Sequence, residues 1–374
     1  MKRRTYLKLK QLAVITCVWV PLGFLIALYD YLAYQTQFSL GPTSNYSFLF
    51  TASINTGSAF IGALLGGSFL VFFVNVKYQD KPYGYTVLMV SLSFILIIAF
   101  ITLIIGIISS SLEINSENSI LFDIPRTIKN TIVWAFVVGL TQLFLQMNSK
   151  FGHGVFWNIL RGKYNTPKDE NRIFMSLDIN SSTAIAEKLG DEKYHQLLKD
   201  FFSDITNPVL DNKGEIYQYV GDEVIVAWKY DDGIVDNQCI KCFFDMKENL
   251  ERKKEKYLSR YEIVPSFKAG IHWGKVIVGE IGIIKRDITY SGDVMNTTSR
   301  IRNKCREFNV EVIASAELLD ALRMSENYLT RPLGAIKLRG KEKEVLLSTF
   351  IPKLPVPSIE SEHSLNGNNV KVTA

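Results

Sequence analysis

Four long apolar segments in the first 147 residues constrain the fold more than any other feature of this chain. They are residues 12–29, 56–76, 85–108 and 130–147. An α-helix needs roughly 20 predominantly apolar residues to cross the hydrocarbon core of a membrane, and each segment has about that length. Charged residues are dense only after Met147, where apolar residues come in short periodic groups. We therefore predict a four-span transmembrane helical domain over residues 1–147, followed by a soluble domain.

Basic residues near the ends of these segments predict their orientation. All of them fall on one side of the membrane if the four segments span it: Lys2, Arg3, Arg4, Lys8 and Lys10, then Lys77 and Lys81, then Lys150, Arg161 and Lys163. Because basic residues mark the cytoplasmic side, we predict a multi-pass protein of the inner (plasma) membrane, in contact with membrane lipid, with both termini in the cytoplasm. No small-residue cleavage pattern follows the first segment, so an anchor is favoured over a signal peptide.

Two further patterns narrow the role of the apolar half. Gly62 and Gly66 form a G-x-x-x-G spacing, which favours close packing within one bundle and leaves a dimer contact as the alternative. No ionisable residue lies in the middle of a segment, and such residues usually mark a transport path. A transporter with a regulatory domain is therefore disfavoured.

Charge and cysteine content exclude some functions for the soluble half. The net charge is +5, and no compact run of Lys and Arg is interleaved with aromatic residues, so no nucleic-acid partner is predicted. Cys239 and Cys242 form a C-x-x-C pair without the second pair that a zinc site needs, and no secreted disulfide pattern is present. The soluble half thus fits a reducing compartment.

The soluble half begins with a strand, a helix and a hairpin. Residues 172–177 alternate in the manner of a strand, Asp178 ends the run, and the polar residues after it predict a helix that stops before Pro208. The runs EIYQYV and EVIVAW flank Gly221-Asp222, a dipeptide that is typical of tight hairpin turns. A carboxylate is therefore expected at the tip of a hairpin.

The remaining elements alternate between helices and strands. The pattern predicts a helix over 235–257, strands over 266–272, 275–280 and 287–291, a helix over 293–306 and a strand over 310–314. This order indicates an α+β fold in which helices pack on one face of a mainly antiparallel sheet.

Asp178 and Asp222 converge if the first strand pairs beside the hairpin. Carboxylate oxygens brought together in this way suit Mg²⁺ or Mn²⁺, which commonly hold substrate phosphates through one or two carboxylates. Turn aspartates are also common for local reasons, so an ordinary turn remains the alternative on this pattern alone. Asn296 and Arg300 lie four residues apart, hence on one helical face, where a solvated pair is the alternative to a site.

Taken together, four motifs resemble the catalytic domain of class III adenylate and guanylate cyclases over residues 171–350. They are IFMSLDINSST, YQYVGDEVIVAW, FKAGIHWGKVIVGEIG and ITYSGDVMNTTSRI. Each motif is weak alone, whereas the four in this order are specific. The resemblance implies an α+β catalytic domain with a ferredoxin-like βαββαβ core. We accordingly place the catalytic domain at 170–352, a linker at 148–169 that is either a transducer or a plain tether, and a disordered tail at 353–374.

The resemblance also implies roles for individual residues of this chain. Asp178 and Asp222 match the aspartates that hold a pair of Mg²⁺ or Mn²⁺ ions, with the backbone carbonyl of Ile179 as a further ligand. Asn296 and Arg300 match residues that orient the ribose and stabilise the transition state. The implied reaction converts ATP into 3′,5′-cyclic AMP and pyrophosphate, by attack of the 3′-hydroxyl on the α-phosphorus.

Three more residues are implied contacts to the nucleotide. Lys341, in LRGKEKE, matches a phosphate-binding lysine. Gln218 stands where adenylate cyclases of this family often have Lys and guanylate cyclases have Glu, and Thr289 matches its partner, a residue that many bacterial adenylate cyclases have there. A Gln amide offers both a donor and an acceptor. ATP is therefore the favoured substrate, and some turnover of GTP remains open.

The family resemblance further implies a homodimer, because the aspartates and the Asn/Arg pair of one site come from different subunits. A chain with both sets is expected to form a head-to-tail dimer with two equivalent sites. The alternatives to an adenylate cyclase are a guanylate or dual-specificity cyclase and, in another class, a nucleotide-binding membrane receptor without catalysis. A diguanylate cyclase is disfavoured, since VGDEV lacks the second glycine of a GGDEF-type turn.

Overall fold

The computed structural model describes most of the chain in two compact units, Met1–Thr166 and Pro167–Ala374. The described residues are 3–37, 48–78, 81–111, 124–151, 161–284, 286–322, 324 and 327–353. The predicted tail after residue 353 and the middle of the predicted linker, residues 152–160, lie outside this set.

The first unit is mainly helical in its described part. Its long helices are α1 (Arg3–Gln37), α2 (Phe48–Ser68), α3 (Tyr83–Ser111) and α4 (Ile124–Phe151), and α2 continues as a π-helical segment (Phe69–Val74) and one α-helical turn (Asn75–Lys77). Three described stretches are long and apolar enough to cross a membrane: Arg3–Ala33, Ala52–Val74 and Ile128–Ser149. A shorter apolar stretch, Tyr83–Ile98, lies in α3. The four predicted apolar segments are therefore all helical, and three of them meet the length criterion within the described residues.

Large apolar side chains fill the interior of this helical unit. Trp19 is 1% exposed, its ring lies 5.6 Å from that of Trp134, and its Nε1 donates to Thr141 Oγ1 at 3.0 Å. At Gly66 an added Cβ would lie 2.8 Å from the Phe94 ring of α3, whereas Gly62 has no heavy atom within 4 Å of that position. Gly66 thus serves the close packing of helices inside one bundle.

The second unit is built on one mixed sheet. Its strands are β1 (Lys168–Ile179), β2 (Glu215–Val220), β3 (Glu223–Lys229), β4 (Phe267–Ile281), β5 (Asp287–Ser291), β6 (Val312–Ser315), β7 (Tyr328–Ile336) and β8 (Val345–Pro352). The strand order is β2-β3-β1-β4-β6-β8-β7, with β5 paired to β4. Among the described strand pairs, β4 and β6 run parallel and the others antiparallel. The expected mainly antiparallel sheet is confirmed.

Helices cover both faces of this sheet, contrary to the one-sided arrangement that the sequence suggested. The helices are α5 (Ser182–Leu189), α6 (Asp191–Asp211), α7 (Tyr230–Ile234), α8 (Gln238–Arg252), α9 (Lys254–Tyr261), α10 (Val294–Glu307) and α11 (Ala316–Ala321). One apolar core joins α6 and α8 to alternate residues of β1, such as Met175 and Leu177. A separate core on the other face joins Ile301 and Cys305 of α10 to Ile313.

Gly270 explains why α10 packs where it does. A Cβ at this position of β4 would lie 2.4 Å from the backbone nitrogen of Arg302 and 2.5 Å from the carbonyl oxygen of Thr298. The missing side chain lets the backbone of α10 lie directly on the sheet. Its neighbours Ala269 and Ile271 point into the opposite core, which is the alternation expected of a strand.

Two other boundaries differ from the sequence predictions. Pro208 lies inside α6, which continues to Asp211. Because proline has no N–H, the backbone oxygen of Asp204 lacks its usual helical donor. The side-chain amide of Asn249 donates a hydrogen bond of 2.7 Å to it instead. The strands predicted at 266–272 and 275–280 form the single strand β4. Gly274 lies within this continuous strand and is not a turn. Its missing side chain leaves room for the Val294 side chain of α10, which would be 2.7 Å from an added Cβ.

Candidate active site

The sheet brings Asp178 and Asp222 together as the sequence predicted. Asp178, near the end of β1, pairs in register with Glu223, the first residue of β3. Asp222 precedes Glu223 in the β2–β3 turn, where Gly221 adopts a positive φ of 63°. Burial raises the pKa of the Asp178 carboxyl; the positive charge of Arg302 opposes this shift, and the negative charge of Asp222 adds to it. The two carboxylates are therefore close enough to repel each other.

Two cations and a third carboxylate surround Asp178, and sequence reasoning missed all three. Lys268 Nζ lies 3.3 Å from Asp178 Oδ2. Arg302 Nη1 lies 3.9 Å from Asp178 Oδ1 and 2.8 Å from Glu223 Oε2. Lys268 is the register partner of Asp178 on β4, so strand pairing is what selects it. Neither position carries a local sequence signal that links it to Asp178.

Tyr194 of α6 is a further neighbour of the paired aspartates that the sequence did not indicate. Burial raises the pKa of its phenol, and the charges of Asp222 and Asp178 raise it further, while a hydrogen bond with Ser182 opposes them. The phenol is thus a neutral hydrogen-bonding group beside the two carboxylates.

The donor set fits a small, hard divalent cation. Within the described residues no cluster of three or more His, Cys, Asp or Glu side chains forms a metal cage. Mg²⁺ does not need one, because it keeps several waters and is held by one or two carboxylates plus substrate phosphates. Ile179 ends β1 and is 1% exposed; since an isoleucine side chain has no ligand atom, its backbone carbonyl would be the ligand it offers. The mutual repulsion of Asp178 and Asp222 is what a divalent cation would relieve.

A second polar cluster lies around Asp293, at the start of α10. Lys341 Nζ lies 2.6 Å from Asp293 Oδ2, and Thr297 Oγ1 donates to the same oxygen at 3.2 Å. Burial alone would raise the pKa of Asp293, but the pairing with Lys341 outweighs it and holds the pKa below its usual value. Lys341, predicted to bind phosphate, therefore forms an ion pair with Asp293.

Asn296 and Arg300 occupy the face of α10 that the sequence predicted. Asn296 is exposed. The Arg300 guanidinium lies beside Gly340, where an added Cβ would be 3.5 Å from Nη2. Gly340 immediately precedes Lys341 in the sequence. Among the described residues, no hydrogen bond or ion pair joins Asn296, Arg300 or Lys341 to either aspartate of the first cluster.

Gln218 and Thr289 lie on strands that approach each other. Gln218 is exposed on β2, next to a register shift after Ile216. Thr289 pairs with Gly279 on β4, and its buried Oγ1 has no hydrogen-bond partner. Their neighbours Tyr217 and Tyr290 are in ring contact, with centroids 4.7 Å apart. Among the described residues, no hydrogen bond joins the Gln218 and Thr289 side chains.

Comparisons with known proteins agree on one family. A family model described as the adenylate and guanylate cyclase catalytic domain matches residues 164–350. The chain is 35% identical over 217 residues to "Adenylate cyclase 2" of Rhizobium meliloti (strain 1021), an alignment that covers 58% of this chain and 60% of the relative. It is 28% identical over 173 residues to "Adenylate cyclase 1" of the same organism, covering 45% of this chain and 25% of the relative. The chain thus spans less than two thirds of the length of either relative.

Solved structures of cyclases are also similar to this chain. A bacterial light-regulated adenylyl cyclase aligns with a TM-score of 0.49 and 19% identity, over 63% of this chain and 67% of that one. The adenylyl cyclase CyaB from P. aeruginosa aligns with a TM-score of 0.44 and 19% identity, over 50% of this chain and 97% of that one.

Proposed function

The chain belongs to the adenylate and guanylate cyclase family, and we propose that its soluble unit converts ATP into 3′,5′-cyclic AMP and pyrophosphate. The observation that carries the proposal is the convergence of Asp178 and Asp222 at the end of β1. Lys268 and Arg302 neutralise only part of the charge of Asp178, Asp222 and Glu223, so the cluster keeps a net negative charge that favours a bound cation. A nucleotide carried with divalent cations supplies such a cation.

Asp178, Asp222 and the Ile179 carbonyl would hold two Mg²⁺ or Mn²⁺ ions, as class III cyclases generally use divalent metals. When bound, the ions would favour deprotonation of the ribose 3′-hydroxyl and neutralise charge on the phosphates. The side chains fix where this happens, because β1 and the β2–β3 turn belong to one hydrogen-bonded sheet. A rigid strand positions a reacting group better than a loop does.

The residues around α10 would act on the other parts of the nucleotide. Arg300 would stabilise negative charge that builds up on the phosphates, and the exposed amide of Asn296 would orient the ribose. Lys341 would bind a phosphate oxygen after exchanging its partner Asp293 for the substrate, since both are charge-assisted contacts of the same kind. No side chain of this chain is needed as a covalent nucleophile.

One complete site would combine two copies of the chain. Arg300 and Arg302 are two residues apart on α10, so their side chains leave the helix on different sides. Arg302 faces Asp178 of its own chain, while Arg300 lies beside Gly340. The Asn296 and Arg300 face is then available to the aspartates of a second copy, as a head-to-tail homodimer requires.

ATP is the proposed nucleotide. The Gln218 amide can present a donor and an acceptor to the adenine edge, and the unpartnered Thr289 Oγ1 is a second group able to do so. The relatives reported above are named adenylate cyclases, which supports this choice. GTP is the competing substrate, because an amide does not reject the guanine edge outright.

The proposed location is the inner (plasma) membrane, with the soluble unit in the cytoplasm. Three described helices are long and apolar enough to span a membrane, and the basic residues of the segment ends fall on one side in a four-span arrangement. The cytoplasm is also where the soluble unit would meet ATP. We propose 148–169 as the linker; its first four residues belong to the end of α4 and its last two to the start of β1.

The direct test is an assay of the full chain in detergent with Mn²⁺, with ATP and GTP in parallel reactions. We expect cyclic AMP from ATP and less cyclic GMP from GTP. Asp222→Ala should abolish both products, whereas Asp320→Ala, at an exposed carboxylate of α11, should leave them unchanged. Absence of both cyclic products in the unmodified chain would overturn the proposed function, and a larger yield from GTP would overturn the choice of ATP.

A further inference from the structure

Arg302 lies between the carboxylates of Asp178 and Glu223, and its closer contact is with Glu223, which is not a proposed metal ligand. Its Nη1 is 2.8 Å from Glu223 Oε2 and 3.9 Å from Asp178 Oδ1. The Arg302 side chain is 11% exposed, so water contributes little to its solvation. The shorter contact decides which carboxylate neutralises Arg302.

Glu223 is itself fixed by two hydroxyl groups. Ser176 Oγ donates to Glu223 Oε1 at 2.6 Å, and Ser299 Oγ donates to the same oxygen at 3.3 Å. Ser176 belongs to β1 and is 1% exposed, while Ser299 belongs to α10. One oxygen of Glu223 is thus anchored to the sheet and the helix, and the other is left for Arg302.

The charges around Asp178 are nearly balanced, so each one matters. Asp178, Asp222 and Glu223 face Lys268 and Arg302, and these three carboxylates and two cations leave one net negative charge. Removing the charge of Glu223 would leave none. Arg302 would then have Asp178 as its nearest carboxylate, and a buried guanidinium without a partner is strongly driven to find one.

We propose that Glu223 is a positioning residue that holds the Arg302 guanidinium away from Asp178 and so keeps Asp178 available to a divalent cation. The proposal rests on the proposed metal site and adds to it a residue that would act through Arg302 rather than by ligation. The hydrogen bonding of Arg302 supports it. Its buried Nε has no hydrogen-bond partner, and its Nη1 contact with Glu223 is an ion pair outside hydrogen-bond geometry. The guanidinium therefore has unused donors that would turn to Asp178.

The test measures Mn²⁺ binding rather than turnover. The full, nucleotide-free chain in detergent is titrated with Mn²⁺, and the electron paramagnetic resonance signal of free Mn²⁺ gives the dissociation constant. Glu223→Gln keeps the shape of the side chain and removes its charge. We expect it to raise the dissociation constant roughly 10- to 100-fold, as is typical for residues that support a metal ligand.

Three comparisons make this result specific. Glu311→Gln removes a carboxylate from an exposed ion pair with Lys247 and should leave Mn²⁺ binding unchanged. Asp178→Ala identifies the site by abolishing the binding. Thermal unfolding of each variant is measured alongside, because a purely structural role for Glu223 would lower the melting temperature without changing the dissociation constant of the folded chain.

The double variant Glu223→Gln/Arg302→Gln separates positioning from ligation. It restores one net negative charge and removes the cation that Glu223 restrains, so we expect most of the Mn²⁺ affinity to return. Persistent weak binding would mean that Glu223 ligates the metal directly and would overturn the proposal. Unchanged binding in Glu223→Gln alone would also overturn it while leaving the proposed function intact. Equal binding by the unmodified chain and Asp178→Ala would instead overturn the metal site, and the proposed function with it.

Discussion

At the scale of single residues, His272 shows how burial beside a charged site fixes a protonation state. It lies on β4 and is 8% exposed, and its Nδ1 is 2.8 Å from Ser315 Oγ. Burial and, to a smaller extent, the positive charge of Lys341 lower the pKa of its imidazole to about 4, although the negative charge of Asp293 opposes the shift. His272 is therefore neutral in the folded chain at neutral pH. A protonated imidazole here would add a second cation next to Lys341.

The pKa of His272 leads to a prediction about stability and pH. The unfolded chain binds this proton near pH 6.5 and the folded chain only near pH 4, so the unfolded state gains protons first as the pH falls. Stability from this residue is present above pH 6.5 and is lost between pH 6.5 and 4. We expect a loss of about 2 kcal/mol between pH 7 and 5. Chemical unfolding of the soluble unit within the full chain, monitored at both pH values, measures it.

The matched variant for this prediction is His272→Asn, which cannot be protonated and keeps a hydrogen-bonding group near Ser315. Other groups titrate over the same range, so the relevant quantity is the difference between the two chains. The pH dependence of the unmodified chain should be steeper than that of the variant. Parallel curves would show that His272 does not titrate as described.

At the scale of secondary-structure elements, α10 contributes side chains to both polar clusters of the candidate site. It presents Asn296 and Arg300 on one side and Arg302 and Ser299 toward the first carboxylate cluster. Its position depends on direct backbone packing against β4 at Gly270. A shift of α10 would thus move Asn296 and Arg300, the proposed transition-state residues, together with Arg302, which lies beside the proposed metal ligand Asp178.

This dependence predicts a strong effect of Gly270→Ala. The added methyl group would meet backbone atoms of α10 at 2.4 to 2.5 Å, and backbone cannot move aside as a flexible side chain does. We expect a loss of about 1 to 3 kcal/mol of stability, typical of overpacking, together with reduced cyclase activity. Gly279→Ala on the same strand is the control, because its nearest contact would be an ordinary 3.4 Å to Pro167. Equal melting temperatures for the two variants would contradict the prediction.

At the scale of the whole molecule, the proposed homodimer would join two clusters that lie apart in one chain. Asp178 and Asp222 form one cluster and Arg300 and Lys341 lie around another, and the described contacts do not join them. A two-fold dimer that faces one cluster of each copy toward the other cluster of its partner would create two equivalent sites.

Mixing inactive variants tests this assembly. Asp178→Ala and Arg300→Ala chains, each inactive alone, should form heterodimers in which one of the two sites has no lesion. Random pairing makes half of the dimers mixed, so we expect about a quarter of the unmodified activity. Co-expressed Asp178→Ala and Asp222→Ala chains are the control, since both lesions lie in the same cluster and every site stays defective. Activity in the control, or none in the first mixture, would refute the shared site.

The sequence by itself determined the elements whose signals are local. Long apolar runs predicted the helices of the first unit, and Gly221-Asp222 between two β-rich runs predicted the hairpin because its turn needs a positive φ. The four motifs predicted the family, which the match over residues 164–350 confirms. Roles for Asn296, Arg300, Lys341, Gln218 and Thr289 stay predictions; the structure places Lys341 in the loop between β7 and β8 and the other four on helices or strands.

Only the tertiary structure decided which distant residues meet. Pro208 fits inside a helix because Asn249 satisfies the carbonyl that the proline leaves free. β4 continues through Gly274, where the Val294 side chain of α10 packs against the strand. Lys268 and Arg302 reach Asp178 through strand register and helix packing. Periodicity and turn chemistry act over a few neighbouring residues, whereas the charge around a carboxylate depends on every group that folding brings within a few ångströms. The sequence therefore located the acidic site, and the fold set its electrostatic balance.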